Sequence, residues 1–277
     1  MAKLVYLQDQ FLDEERAFIS IRDLGVQRGY AIFDFFRLIG NRPLHLNDHL
    51  DRFFYSAEQM RLEVPKTREH LKLIIKEMIW ENELPDSGFR IQLTGGQGEY
   101  GTDRFHPLLF ISQMEFPFPT QAQLDHGIRL ISYEHQRQLP HVKSTDYLMS
   151  LWLQPHVQQQ GGDDILYSSN KFLRESPRSN IFLVTRDGQL ATPGDHILKG
   201  ITRNKVLELA QANFTVEERN VHMDEVAAAS EVFLTSTTKQ ILPVSMINSI
   251  AIGDGRPGPV TKKLMEQLKE MYAGQPA

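Results

Sequence analysis

Two ionisable residues, Lys143 and Glu175, stand at the edges of apolar runs in a chain of 277 residues. Lys143 precedes the run Leu148 to Leu153. Glu175 precedes the polar turn Ser176-Pro177-Arg178-Ser179-Asn180, which feeds Ile181-Phe182-Leu183-Val184. A primary amine at the margin of a buried element can condense with an aldehyde, and a carboxylate in such a place can keep a heteroaromatic nitrogen protonated. The amine must be neutral to attack, and a desolvated pocket that shares positive charge moves a lysine toward that state. By residue type alone both have ordinary readings, a solvated lysine at a helix start and an exposed glutamate before a turn.

Other residues could hold an anion. Arg52 flanks the apolar face of a predicted helix, where an arginine is either a surface group with a buried stem or a planar partner for phosphate. Lys199-Gly200-Ile201-Thr202-Arg203 opens a second helix, whose free N–H groups favour an anion, although such a turn is also an ordinary N-cap. Arg90 lies in an apolar strand and shares a face with Gln92, an uncomfortable place for an unpaired charge.

The elements that must position these residues follow from periodicity. Residues 3–7 and 17–21 read as strands around an acidic turn at Asp13-Glu14-Glu15. Arg28 to Ile39 reads as one strand rich in aromatic and branched residues. Asn47 is the expected N-cap of a helix from Asp48 to about Arg61, with Leu50, Phe53, Phe54, Ala57 and Met60 on one face. A further helix follows Pro65 and Thr67. Strands are expected at Phe89–Leu93 and Leu108–Ser112, joined by a long glycine-rich loop of the length that usually serves a function. Phe116-Pro-Phe-Pro-Thr-Gln-Ala-Gln is the expected linker, residues 116–123, between a small α+β domain at 1–115 and a larger α/β domain at 124–277. The second half alternates strands at 128–133, 164–168, 181–185, 189–192 and 231–235 with helices at about 144–159, 201–212 and 258–272.

Composition narrows the class. The formal net charge is −5 with no cysteine. That argues against a nucleic-acid footprint, a disulfide framework, and a thiolate nucleophile or metal site. No window approaches the roughly 18 apolar residues of a membrane span, and the N-terminus has no signal-like stretch. A cytoplasmic location is expected.

Four groups of residues, two of them in two pieces, lie in order along nearly the whole chain and resemble the class IV (fold-type IV) pyridoxal phosphate-dependent aminotransferases. Arg28-Gly-Tyr-Ala-Ile-Phe-Asp resembles the family's first strand motif, departing from it at Tyr30, Ala31 and Asp34. His49-Leu-Asp-Arg52-Phe resembles its phosphate-arginine helix. Lys143-Ser-Thr-Asp-Tyr-Leu and Glu175-Ser-Pro-Arg-Ser-Asn-Ile-Phe resemble its lysine and cofactor-glutamate motifs. Gly200-Ile-Thr-Arg and Thr235-Ser-Thr-Thr resemble its two-part phosphate cup. The resemblance implies an α+β, two-domain enzyme of the D-amino-acid aminotransferase type, with pyridoxal 5'-phosphate between the domains. Lys143 would then form the Schiff base and afterwards carry the proton. Glu175 would pair with the pyridinium and Tyr147 with the ring hydroxyl. Arg52, Ser179, Ile201, Thr202 and Thr237 would complete the cofactor site. Phe33 would lie beside the substrate, and the backbone amides of Thr238 and Lys239 near it. Arg104-Phe-His106 resembles the carboxylate trap of bacterial D-amino-acid aminotransferases, reaching in from a partner subunit. Arg28, Arg90 and Arg178 are the other candidate carboxylate cations.

Such a pocket favours α-carboxylates and dicarboxylic keto acids. The expected reaction is therefore transamination between a D-amino acid and 2-oxoglutarate or pyruvate, by a homodimer. A branched-chain L-aminotransferase, an aminodeoxychorismate lyase and a catalytically inactive protein of the same fold are the alternatives.

Overall fold

The apolar N-terminal run is β1 (Leu4–Leu7), and its hairpin partner is β2 (Gln10–Asp13) rather than residues 17–21. The turn falls at Gln8 and Asp9, both at positive φ, the conformation that matches strand twist in a tight hairpin. Asp9 Oδ1 accepts from the Tyr6 hydroxyl at 2.8 Å. Of the acidic residues expected to form the turn, Asp13 ends β2, and Glu14 and Glu15 enter a 3-10 turn at Glu14–Arg16. Residues 17–21 fail as a strand because Phe18 and Ile21 are 79% and 83% exposed, so their apolar pattern faces no core.

The computed structural model describes residues 3–98 and 105–274. They fall into two units. One holds the described residues up to Phe116 together with Val142–Asp146; the other holds Pro117–His141 and the described residues from Tyr147 onward.

In the first unit, α1 (Leu24–Arg28) precedes β3 (Ala31–Ile39). Arg28 therefore ends a helix instead of starting a strand. Asp23 caps α1 by accepting from the Gly25 N–H, and Gly29 ends it in the left-handed conformation. After β4 (Arg42–Pro43) comes α2 (Leu46–Gln59), whose N-cap is His45 at positive φ, with Asn47 inside the helix. Thr67 caps α3 (Arg68–Asn82) through its hydroxyl. Then β5 (Gly88–Gly98) and β6 (Phe105–Met114) pair antiparallel. Thr94 to Gly98, expected as loop, continue β5, since Gly96 and Gln97 form a bulge against His106.

The sheet order is β2-β1-β6-β5-β3-β4. Leu50, Phe53 and Ala57 of α2 and Leu71, Ile75 and Met78 of α3 share a core with Ile32, Phe36, Leu38, Phe89 and Ile91. Phe36 and Phe89 are cross-strand partners, their rings stacked at 5.3 Å.

The second unit opens with α4 (Gln121–His126), closed at its start by a capping box between Thr120 and Gln123. Its first three residues fall within the expected linker, and the rest lie beyond it. The elements that follow are β7 (Ile128–Glu134), α5 (Leu148–Trp152), α6 (Gln154–Gln159), β8 (Asp164–Ser169), β9 (Phe172–Leu173), β10 (Asn180–Val184) and β11 (Leu190–Pro193). The chain ends with α7 (Ile201–Gln211), β12 (Val216–Arg219), β13 (Glu231–Ser236), β14 (Gln240–Ile247), β15 (Ile250–Ala251) and α8 (Pro259–Gly274). The single helix expected over 144–159 is thus two short helices that begin only at Leu148. The order is β12-β11-β10-β13-β14-β7-β8-β9, with β15 on β14. Every residue of β10 is buried, as are Glu231 to Thr235 of β13. Phe182 stacks on its register partner Phe233 at 5.0 Å. Continuous apolar runs like these mark strands covered on both faces. No helix among the described residues is long and apolar enough to cross a membrane.

Candidate active site

Each unit carries a cluster of chemistry-bearing residues. In the first unit the backbone of Lys143 is extended, not helical. Its carbonyl accepts from the Phe33 N–H at 2.9 Å, and the Thr145 N–H donates to Ala31 O at 3.1 Å. Ser144 makes an antiparallel bridge with Ile32. On the other side the Lys143 N–H donates to Ser56 Oγ of α2 at 3.2 Å. β3 and α2 thus strap the lysine in place.

Phe33 is the common neighbour of two cations. The Arg90 guanidinium carbon is 4.0 Å from its ring centroid, and Lys143 Nζ is 4.6 Å away. The register explains this. Phe33 faces Gln92 across the β3–β5 pair, and Arg90 lies two residues along on the same face. Arg90 Nε donates to Gln92 Oε1 at 2.8 Å. Arg90 is half-buried, as is Lys143.

Behind these residues lies a buried ionic triad. Asp34, next to Phe33, points the other way along β3. It accepts from Arg52 Nε on Oδ2 and from Arg52 Nη2 on Oδ1, both at 2.8 Å. His49, three residues before Arg52 on α2, has Nδ1 2.7 Å from Asp34 Oδ1. Burial alone would raise the Asp34 carboxyl. The Arg52 and His49 partners outweigh it and hold the group well below the usual carboxylate range. Burial pushes the His49 imidazole down, joined by Arg52 and Lys143 and opposed by Asp34. The ring is therefore neutral near pH 7, with its proton on Nδ1, donated to Asp34.

In the second unit Glu175 is buried. Its Oε1 accepts from Arg137 Nε at 2.9 Å, and its Oε2 from the Leu198 N–H at 3.1 Å. Asn180 Nδ2 lies 3.5 Å from Oε2 and donates to Leu198 O at 2.8 Å. That carboxamide also explains Gly200. A Cβ there would sit 2.2 Å from Asn180 Oδ1, although the Gly200 backbone is accessible to any residue. Gly200 is the N-cap of α7 and brings no capping side chain, so Ile201 and Thr202 open the helix with its N–H groups unclaimed by one. Arg203 turns away, donating to Pro193 O at 2.9 Å and Glu218 Oε2 at 2.8 Å, which anchors α7 to β11 and β12. The buried hydroxyls of Ser176, Ser179 and Thr235 have no partner among the described residues.

Of the other expected site residues, Tyr147 is half-buried at the start of α5. Thr237, Thr238 and Lys239 form the half-buried turn between β13 and β14. Ser236 Oγ accepts the Lys239 N–H at 3.2 Å, and Lys239 Nζ pairs with Asp164. Arg28 and Arg178 are exposed, as is His106 on β6. Arg104 lies outside the described residues.

Sequence reasoning passed over His49, Arg137 and Asn180. His49 carried a signal, since it shares a helical face with Arg52 while an acid, Asp34, interrupts an apolar strand. Arg137 carried none, because its partner lies 38 positions away.

The family described as "Amino-transferase class IV" matches residues 31–247. A protein of Methanocaldococcus jannaschii, provisionally named a branched-chain-amino-acid aminotransferase, is 32% identical, with 96% of each chain covered. The D-alanine aminotransferase of Bacillus licheniformis is 27% identical over 99% of this chain and 98% of its own length. The branched-chain aminotransferase of Thermoproteus uzoniensis, solved with norvaline, superposes with a TM-score of 0.90 at 25% identity, covering 99% of this chain and 96% of that one. The fold, the motif order and these likenesses agree: the chain belongs to the class IV aminotransferases, enzymes that use pyridoxal 5'-phosphate.

Proposed function

We propose that this aminotransferase moves an amino group between a D-amino acid, such as D-glutamate or D-alanine, and 2-oxoglutarate or pyruvate. The observation that carries the reading is the pair of cations on Phe33, with Arg90 at 4.0 Å and Lys143 at 4.6 Å. A half-buried guanidinium beside the reacting amine offers an α-carboxylate two parallel hydrogen bonds. Arg28 is the second candidate for this clamp. Arg104 and His106, as a carboxylate trap reaching in from a partner subunit, Arg178 as a further carboxylate cation, and the backbone amides of Thr238 and Lys239 near the substrate remain part of the proposal. The likeness to D-alanine aminotransferases supports the same reading.

The residues present fit the cofactor. Buried hydroxyls on Ser179 and Thr235, without partners among the described residues, suit an oxygen-rich ligand. The start of α7, without a side-chain cap, suits a phosphate. Arg52, its guanidinium already oriented by Asp34, suits the same group. In this proposal Arg52, Ile201, Thr202, Thr237 and Ser179 hold the phosphate. Tyr147 donates to the ring hydroxyl, and Glu175 keeps the ring nitrogen protonated. When bound, pyridoxal phosphate withdraws electrons from the substrate α-carbon. Lys143 Nζ takes the α-proton and returns it on the cofactor side, work for an amine held within hydrogen-bonding reach. Phe33 excludes water from that amine.

A second reading, a branched-chain L-aminotransferase, is favoured by the 32% identical relative. A homodimer in the cytoplasm belongs to the proposal. Phe18, Ile21 and Val26, all exposed on the segment ending at Arg28, supply apolar surface for a second copy.

The test is the absorption spectrum of the purified protein before and after D-glutamate or L-leucine. A cofactor band that moves to the near ultraviolet with D-glutamate alone is the expected result. A response to L-leucine alone overturns it in favour of the second reading. A band that neither alters points to the elimination chemistry of aminodeoxychorismate lyases.

A further inference from the structure

The chain leaving β7 runs Glu134-His-Gln-Arg137-Gln-Leu-Pro-His141 and reaches Lys143 two residues later. Arg137 is the fixed point of this segment. It is 8% exposed, and its two ends do different things. Nε donates to Glu175 Oε1 at 2.9 Å, while Nη2 donates to Pro140 O at 2.7 Å. The second bond closes a loop on itself, and within that loop Leu139 takes a positive φ of 44°. A side chain with a Cβ disfavours that conformation, so it persists only where surrounding bonds hold it. One guanidinium thus ties down both the carboxylate and the loop that leads to the lysine.

We propose that Arg137 is a positioning residue for cofactor chemistry, acting through Glu175. This rests on the reading that Glu175 serves the cofactor ring nitrogen. A buried carboxylate without a cation favours its neutral acid form, which could not hold a proton on that nitrogen. With Arg137 on Oε1 and the Leu198 N–H on Oε2, Glu175 stays ionised in a single orientation.

The test is titration of apoprotein with pyridoxal phosphate, followed by absorbance and protein fluorescence, for wild type, Arg137→Met, Arg137→Lys, Glu175→Gln and the double variant Arg137→Met/Glu175→Gln. Thermal unfolding of each apoprotein runs alongside. Arg137→Met is expected to weaken binding about tenfold or more near pH 6 and clearly less near pH 8.5, where a raised carboxyl ionises again. Arg137→Lys restores most of the affinity. The double variant binds no more weakly than Glu175→Gln alone, because Arg137 acts through Glu175. If Arg137→Met does not fold, Arg137→Lys and Arg137→Gln carry the same comparison, the lysine expected to bind more tightly than the glutamine. Equal loss in the lysine and uncharged variants at both pH values, or losses that add in the double variant, would reduce Arg137 to a structural residue and overturn the inference. Binding by Arg137→Met within about twofold of wild type would also overturn it. Wild type that binds no cofactor would sink the reading of Glu175 itself.

Discussion

Asp34 grips Arg52 through both carboxylate oxygens, at 2.8 Å each, and is itself fully buried. Among the described residues, Arg52 and His49 are the side chains that meet this carboxylate, and the Phe35 N–H donates to its Oδ1 at 2.8 Å. Removing one partner of a buried pair strands the other, at a cost of about 3–5 kcal/mol. Asp34→Ala should therefore lose about that much stability in urea unfolding and leave Arg52 without a fixed orientation for phosphate. Unchanged stability and unchanged cofactor affinity together would remove Asp34 from any organising role.

His49 sets an acid limit on stability. Its folded proton affinity is depressed by burial. As pH falls through about 6.5 the unfolded chain takes up a proton that the folded chain refuses. Stability then drops by up to about 1.4 kcal/mol per pH unit from this group. Asp34 behaves differently. Its folded value is also depressed, so its contribution is present above about pH 4 and is lost only as pH falls below that. Between pH 7 and 5 the wild type should lose more stability than His49→Gln. Parallel slopes would contradict the neutral buried imidazole.

Arg90→Leu tests the carboxylate clamp. A charged hydrogen bond to substrate is worth about 1.5–3 kcal/mol, roughly ten- to a hundredfold in kcat/KM. The loss should appear mainly in KM for D-glutamate, with Lys143 chemistry intact. An unchanged KM would take Arg90 out of the clamp.

Gly200→Ala probes space rather than backbone freedom, since its φ is ordinary and the clash is with Asn180 Oδ1 at 2.2 Å. Overpacking costs about 1–3 kcal/mol. Because Asn180 also reaches Glu175 and Leu198 O, cofactor affinity should fall along with stability. A variant that binds cofactor as wild type does would show that this corner is more pliant than it looks.

Much of the architecture was legible because period and burial coincide. α3, β8, β10, β13 and α8 lie where apolar spacing and caps place them. The failures share a cause. Residues 17–21 carry a strand-like pattern but face no core, and Ser144 and Thr145, expected at the start of a helix, have their backbone claimed by β3. Local pattern cannot register a distant hydrogen-bond partner. The same limit applies to the site. Lys143, Glu175 and Arg52 stand out through motif order. Arg137 and Asn180 matter only through contacts made across the fold, and His49 only once Asp34 and Arg52 are seen together.

The central claim is that Lys143 is the amine that binds the cofactor. The most direct measurement is borohydride reduction of the cofactor-loaded protein, followed by digestion and peptide mass analysis. The phosphopyridoxyl mass should appear on the peptide containing Lys143, and should be absent from Lys143→Ala. Its appearance on another lysine, or on none, would contradict the account.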